Sequence, residues 1–130
     1  MKAYLIDPEA CTVRAIELDP TNRLRDYYAA LDCQLVEVVS DAIPGHDLWV
    51  DEEGLINDNP HGAIFAPATY QQVFIGRAIV TGGVDDEGDT LPATCTPEEI
   101  AARIFAVTDI LPGGITVCAP LVSADTQASA

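Results

Sequence analysis

Alternation of apolar and polar positions divides much of the chain into short strands. Lys2 to Ile6 and Thr12 to Leu18 are β-type runs on either side of a proline-containing turn, and together they predict a hairpin. Leu35 to Val39 is nearly continuous and rich in β-branched residues, which predicts a central strand. Val73 to Thr81 is the longest strand candidate, and Gly76 within it indicates a bulge or a point of close packing.

Helical spacing occurs in two segments. Asp19-Pro20 predicts a helix start, because Asp is a favourable capping residue and Pro is tolerated in the first turn. The apolar stripe of this helix consists of Leu24, Tyr27, Tyr28 and Leu31. Thr96-Pro97-Glu98-Glu99 starts the second helix, because it combines a capping box with a proline in the first turn. The predicted buried stripe of the second helix consists of Ile100, Ile104 and Val107.

A glycine-containing acidic segment lies in the middle of the chain. Leu48 to Val50 and Leu55-Ile56 flank Asp51-Glu52-Glu53-Gly54, which predicts a hairpin with Gly54 at positive φ. Near the C-terminus, Pro112-Gly113-Gly114 breaks the chain before a last strand candidate at Ile115 to Cys118.

These elements predict an α+β fold with a mixed or mainly antiparallel sheet of five to six strands and two helices on one face. The chain has 130 residues, of which 48% are hydrophobic, so we expect one domain over residues 1–122. The small polar residues 123–130 are expected to form a flexible tail. No apolar run is long enough for a membrane span and none resembles a signal peptide, so we expect a cytoplasmic protein.

The charge is strongly asymmetric. The chain carries 21 acidic and 6 basic residues, for a net charge of −15. Between Arg25 and Arg103, fifteen acidic residues face the single base Arg77, so this stretch accounts for −14. A negative field of this size repels nucleic acid and anionic membranes and attracts basic surfaces. We therefore expect a basic protein partner, and neither nucleic acid nor membrane.

Two acidic segments supply the candidate partner-binding residues. The first contains Asp47, Trp49, Asp51, Glu52, Glu53 and Asp58, and the second contains Asp85, Asp86, Glu87 and Asp89. If the two segments are neighbours, their carboxylates form a dense row like the charges of duplex DNA, with Trp49 as an apolar anchor. The alternative interpretation is a passive soluble or halophilic protein whose charge is spread over the whole surface.

Candidate catalytic groups are sparse. His46 and His61 are the only histidines, and a small hydrolase or transferase that uses His61 with nearby carboxylates is the enzymatic alternative. The acidic positions from Asp85 onward alternate as in a calcium loop. They lack its glycine at position six and its acid at position twelve, so no metal site is predicted. The glycine pairs have no phosphate-loop context, and no cofactor is expected.

The cysteines also argue against a metal or redox motif. Cys11, Cys33, Cys95 and Cys118 are too far apart in sequence for a zinc knuckle or a dithiol. We expect reduced thiols that are buried as small apolar side chains.

Three segments resemble a known family. They are Trp49 to Leu55, the loop Asn57 to Pro60, and Phe74 to Gly82. A family of small domains of unknown function, common in bacteriophages, plasmids and other mobile elements, shares such an Asp-Glu-Glu-Gly hairpin, asparagine loop and glycine-containing strand. This chain resembles that family over about residues 1 to 90, with a looser match at Asn59 to Ala63. The resemblance implies an α+β fold and a mobile-element setting, and it implies no activity.

Charge and resemblance together predict a non-enzymatic accessory protein of a phage or other mobile element. Its expected action is to bind and block a basic, nucleic-acid-binding host protein, as an anti-defence or DNA-mimic inhibitor. A turn does not require three consecutive carboxylates, which repel one another, so we expect the hairpin at Asp51 to Gly54 to lie at the partner interface. Asp47, Asp58 and the loop Asp85 to Asp89 are expected beside it.

Overall fold

The computed structural model describes residues 1–67 and 72–124, which form ten strands and two helices. The strands are β1 (Lys2–Asp7), β2 (Thr12–Glu17), β3 (Val36–Ile43), β4 (His46–Asp51), β5 (Ala63–Ala66), β6 (Gln72–Ile75), β7 (Ala78–Gly82), β8 (Phe105–Leu111), β9 (Ile115–Pro120) and β10 (Val122–Ser123). The helices are α1 (Arg23–Leu31) and α2 (Pro97–Ala101). The predicted α+β class is confirmed.

Six strands form a mixed sheet in the order β10-β2-β1-β7-β4-β3. The predicted β1–β2 hairpin is confirmed, with Lys2 opposite Glu17. Among the described strands of this sheet, β10 and β2 are the one parallel pair of neighbours. β3 lies at the edge of this sheet, so the central strand predicted at Leu35 to Val39 is wrong. Its β-branched residues are compatible with an edge position because Val39 is buried while Val38 on the other face is exposed.

The two faces of the six-stranded sheet contact separate buried clusters. Leu5 of β1 belongs to the same cluster as Tyr27 of α1, whereas its neighbour Ile6 belongs to the cluster that contains Ile100 of α2. Successive side chains of a strand point to opposite faces, so the two helices cover opposite faces of the sheet. The expectation that both helices share one face is therefore wrong.

A second sheet, which the sequence did not predict, covers the α2 face. It is antiparallel, with the order β6-β5-β8-β9. The single strand predicted over Val73 to Thr81 is wrong, because the chain leaves this sheet after β6 and enters the six-stranded sheet at β7. Gly76 lies at the crossing with φ +112°, a conformation that glycine adopts readily.

The region after residue 95 is only partly as predicted. The Thr96 hydroxyl accepts a hydrogen bond from the Glu99 N–H at 3.2 Å, and the capping box is confirmed. The helix ends at Ala101, so the predicted helical stripe through Ile104 and Val107 is wrong. Ile104 is buried between the turn that follows the helix and β8, and Val107 belongs to β8.

The first helix begins three residues later than Asp19-Pro20 indicated. The Asp19 side chain instead accepts hydrogen bonds from the N–H and hydroxyl of Thr21, which forms a turn before the helix. Tyr27 and Leu31 of the predicted stripe are buried, whereas Leu24 is exposed.

The last described residues of the chain extend the six-stranded sheet. Val122 and Ser123 pair in parallel with Thr12 and Val13 of β2. The predicted flexible tail therefore begins, at Ser123, with a residue of β10. Residues 125–130 of that tail lie outside the described residues.

Candidate functional site

The acidic segment after β4 enters a loop, which we call the groove loop (residues 52–58). The Gly54 N–H donates to the Asp51 carbonyl at 3.3 Å, and the Asn57 N–H donates to the Glu53 carbonyl at 2.8 Å. Leu55 and Ile56 continue these turns and form no strand. The hairpin predicted around Asp51 to Gly54 is therefore wrong, because its second strand does not exist.

A buried asparagine fixes the groove loop to the rest of the fold. The Asn59 amide nitrogen donates to Asp51 Oδ2 at 2.9 Å and to the Leu31 carbonyl at 3.4 Å. Its side-chain oxygen accepts from the His61 N–H at 3.0 Å. Asp51 Oδ1 accepts from the Glu53 N–H at 2.9 Å, so both oxygens of this carboxylate are used within the fold. Polar groups that are buried and satisfied in this way hold a loop in one conformation.

Two glycines allow the chain segments at this point to approach closely. A Cβ on Gly54 would overlap the Ile75 carbonyl oxygen, and a Cβ on Gly76 would lie 3.0 Å from the Asn59 side chain. The close packing predicted as one option for Gly76 is thus confirmed. Gly54 is not at positive φ, so the predicted reason for this glycine is wrong. Glycine is required at position 54 because the Ile75 backbone leaves no room for a Cβ.

The groove loop exposes two adjacent aliphatic side chains. Leu55 is 80% and Ile56 is 81% exposed. They border a groove of about 480 Å³ between this loop, β6 and β8, which we call the acidic groove. Its aliphatic lining consists of Leu55, Ile56, Val73, Ile75 and Ile110, and its acidic residues are Glu37, Asp51 and Glu52.

The carboxylates around the acidic groove carry uncompensated negative charge. Among residues 1–67 and 72–124, no ion pair involves Glu37, Glu52, Glu53 or Asp58. The groove therefore combines an apolar surface with a negative potential, which is suited to a ligand that is itself apolar and positively charged.

Trp49 lies on the face of the six-stranded sheet that contacts α1. The second sheet covers the other face. Its ring stacks on Tyr27 of α1 with centroids 4.7 Å apart, and its Nε1 donates to the Thr81 hydroxyl at 2.9 Å. Asp47, two residues earlier on β4, accepts from the Asp41 N–H at 3.4 Å. The structure thus places Trp49 against the core under α1 and outside the lining of the acidic groove.

The second acidic segment closes on itself. Asp85 Oδ1 accepts from the N–H groups of Glu87 and Asp89, each at 2.9 Å. We call residues 85–89 the acidic turn. Its side chains at Asp85, Asp86, Glu87 and Asp89 are all exposed.

The two acidic segments lie at opposite ends of β4. Gly82, which precedes the acidic turn, pairs with His46 at the first residue of β4. The groove loop follows Asp51 at the last residue, and five residues of strand span roughly 17 Å. The expectation that the segments lie beside each other is therefore corrected, since they do not form one continuous row of carboxylates.

His61 lies between two carboxylates. Its Nε2 is 2.8 Å from Asp32 Oδ2, and its Nδ1 is 3.4 Å from Glu9 Oε1. Both ring nitrogens therefore lie against a carboxylate oxygen of the fold. The thiol of Cys33, which follows Asp32 in the chain, is a weak nucleophile, because burial and then the Asp51 carboxylate raise the pKa of Cys33 to about 11.

His46 is a structural residue of the core. Its Nε2 accepts from the N–H groups of Thr94 at 3.0 Å and Cys95 at 3.1 Å. Its Nδ1 therefore carries the proton and donates to the Pro44 carbonyl at 3.0 Å. This neutral imidazole fixes the segment before α2 to the start of β4.

The described residues lack two kinds of feature, namely clusters of three metal-ligating side chains and helices able to span a membrane. Within residues 1–67 and 72–124, no three His, Cys, Asp or Glu side chains come together as metal ligands. In the same ranges no helix is long and apolar enough to cross a bilayer. All four cysteines are free, but the expected burial is confirmed only for Cys95, and Cys118 is exposed.

Sequence comparison establishes the family. The model of a domain of unknown function (DUF3846) matches residues 1–106. The chain belongs to this family. It is similar to the uncharacterized protein y4iR of Sinorhizobium fredii (strain NBRC 101917 / NGR234), with 30% identity over 91 residues, or 70% of this chain. The match covers 55% of that relative, so the chain spans about half of its length. No solved structure matches the chain.

The segments that carried the family resemblance meet at one place in the fold. Asp51, Gly54, Asn59 and Gly76 form the support beneath the groove loop.

Sequence reasoning missed the exposure of Leu55 and Ile56, because an aliphatic pair after a glycine was interpreted as a returning strand. The signal that could have revealed it is the run of turn-forming residues from Asn57 onward, which leaves such a strand too short.

Proposed function

We propose that this chain is a non-enzymatic binding protein that engages a basic, nucleic-acid-binding protein through the acidic groove. The observation that carries the proposal is the nearly complete exposure of Leu55 and Ile56 on a loop fixed by the hydrogen bonds of the buried residue Asn59. Single exposed aliphatic residues are ordinary, but an adjacent pair that borders the aliphatic lining of the acidic groove is typical of an interaction surface. Because the loop is already fixed, binding costs little conformational entropy.

Charge complementarity supports a basic partner. Glu37 and Glu52 lie at the groove without cationic partners in the described part of the chain, and the whole chain carries −15. The occupant is therefore a protein segment with aliphatic or aromatic side chains flanked by Lys or Arg. Such a surface is steered toward the groove by the negative field and then held by apolar contact.

The biological setting is part of the same proposal. We propose an accessory protein of a phage or other mobile element that acts in the cytoplasm of the host cell and blocks a host protein's nucleic-acid-binding surface. The resemblance to mobile-element domains and the net charge support it. Nucleic-acid-binding surfaces concentrate Lys and Arg, so a ligand that covers them displaces the nucleic acid.

The test starts from capture of a host protein and continues with that protein in purified form. We expect the chain to displace a labelled duplex DNA or RNA from it. The variant Leu55→Ser with Ile56→Ser should bind it about 30-fold more weakly, or about 2 kcal/mol. A matched control, Val84→Ser with Leu91→Ser, removes two exposed aliphatic side chains elsewhere and should leave the affinity unchanged.

Two outcomes contradict the proposal. Equal affinities for the groove variant and the control variant would exclude the acidic groove as the interface. A purified partner that retains its nucleic acid at saturating concentrations of this chain would exclude the blocking action.

A further inference from the structure

A second concave surface lies on the α1 side of the six-stranded sheet, away from the acidic groove. It is a cleft of about 430 Å³ between α1 and strands β1 and β2. Its apolar residues include Leu5, Ile16 and Ala30. Arg14 of β2 and Arg77, the residue before β7, both line it, so two of the six basic residues of the chain meet here. We call it the arginine cleft.

Arg77 is incompletely satisfied. Its Nε is buried without a hydrogen-bond partner, and its Nη1 makes only a long bond of 3.4 Å to the Ala30 carbonyl. A guanidinium has five N–H donors. Within residues 1–67 and 72–124 neither Arg77 nor Arg14 forms an ion pair, although acidic residues outnumber basic ones in this chain by 21 to 6. Cationic donors without acceptors are unfavourable where they are partly buried, so an oxyanion in the cleft would stabilise the two guanidinium groups through their remaining N–H donors.

The acidic residues that line the cleft are already engaged elsewhere. Glu17 Oε2 accepts from the amino group of Met1 at 3.1 Å. Asp26 accepts from the Asp19 N–H at 2.6 Å through one oxygen and from Arg25 at 3.2 Å through the other. Both carboxylates thus have donors other than Arg14 and Arg77, and neither forms an ion pair with these arginines within the described residues.

We propose that the arginine cleft binds the oxyanion head, carboxylate or phosphate, of a small organic molecule. The planar guanidinium fork matches both oxyanions in a bidentate manner. The apolar part of the ligand then lies over Leu5 and Ile16. A cleft of this volume suits a ligand of small-molecule size. This site lies on the face opposite the second sheet and does not depend on the partner proposed for the acidic groove.

The test uses three defined probes, namely phenyl phosphate, benzoate and uncharged benzyl alcohol. Calorimetric titration gives each affinity, and NMR follows the Nε–H signals of the five arginines. We expect one or both anions to bind at least about tenfold more tightly than the alcohol, with the largest shift at the Arg77 signal. The tighter anion identifies the head group as phosphate or carboxylate.

Three variants distinguish anion binding in the arginine cleft from non-specific attraction of anions to any basic residue. Arg14→Gln and Arg77→Lys should each weaken anion binding by about tenfold, the second because an ammonium cannot reproduce the fork. Arg103→Gln, which removes a basic residue outside the cleft, should bind as the parent does. Arg14 is exposed, so its variant tests the site even if a change at Arg77 impairs folding.

Three results would overturn the inference. One is binding of the alcohol as tight as that of the anions. Another is a loss in Arg103→Gln equal to that in Arg14→Gln. The third is the absence of binding by both anions at concentrations up to about 10 mM, the range of the weakest specific ligands.

Discussion

The groove loop and the acidic turn carry similar charge at opposite ends of the same strand, yet they are built differently. Asn59 links the groove loop to Leu31, 28 residues away in sequence, whereas Asp85 closes the acidic turn through residues no more than four positions away. The groove loop also carries Leu55 and Ile56 beside the aliphatic lining of the acidic groove. The difference means that a similar density of carboxylates can occur in two different structural settings. Distant support and adjacent apolar area distinguish the groove loop.

Each loop contains a glycine, and this pair gives the largest expected contrast. Gly54→Ala should lower the free energy of unfolding by about 3 kcal/mol or more, because the new Cβ meets the Ile75 backbone carbonyl. Gly88→Ala in the acidic turn meets nothing within 4 Å and adds only the strain of φ +85°, about 1 kcal/mol. Urea unfolding measures both. Equal losses would mean that the groove loop is not packed against β6 as described.

The anchoring side chains give the next contrast. Asn59→Ala removes the hydrogen bonds of a buried residue to Asp51 and Leu31 and should cost about 2 to 3 kcal/mol of unfolding free energy. Asp85→Ala removes two exposed hydrogen bonds and should cost about 1 kcal/mol at most. Thermal denaturation of the two variants, with Asn57→Ala as an exposed control in the groove loop, checks the order. An Asn59 variant as stable as the control contradicts the proposed support.

The variant His61→Ala tests whether surface charge pairs contribute to the stability of the groove loop. Its ring contacts Asp32 and Glu9 at the protein surface, whereas the hydrogen bond to Asn59 comes from its backbone N–H. His61→Ala should therefore cost no more than about 1 kcal/mol and should leave partner binding intact. An enzyme that uses this imidazole would instead lose its activity, so retained stability with lost function would favour the enzymatic alternative.

The acidic side chains themselves should contribute least to stability. Glu52→Gln with Glu53→Gln removes repulsion between neighbouring carboxylates that lack cationic partners in the described chain. The free energy of unfolding should stay constant or rise by about 0.5 kcal/mol or less. Asp86→Asn with Glu87→Gln should behave in the same way. A clear destabilisation of the first pair in thermal denaturation would assign those carboxylates a structural role.

Local signals predicted the elements whose contacts are close in sequence. The β1–β2 hairpin and the Thr96 capping box each depend on residues within one turn or one hairpin, and both are confirmed. β5 and β8 were missed although each pairs with the next strand along the chain, β6 and β9. The pairing of β5 with β8, which joins these four strands in one sheet, links Ile64 with Ala106, and no local pattern encodes it. Residues such as Ile104 and Val107 also mimic helical spacing, although the chain becomes extended at Phe105.

The candidate site was predictable only in its composition. The sequence identified Glu52 and Glu53 as carboxylates that folding does not require. The position of the acidic turn depends on the register of β7 against β4, which pairs Gly82 with His46, and no local pattern encodes that register. The groove depends on β6 and β8 belonging to a second sheet, and the break at Gly76 was interpreted as a bulge within one strand.

The most direct test of the central claim compares two variants with the same change in net charge. The association rate and affinity for the captured partner are measured for Glu52→Gln with Glu53→Gln and for Asp86→Asn with Glu87→Gln. Low salt is used first and then physiological salt, where the screening length is ~8 Å. The account predicts about a tenfold loss at low salt for the groove-loop pair and less than about twofold for the acidic-turn pair. Equal losses for the two pairs, or full binding by the groove-loop pair, would contradict it.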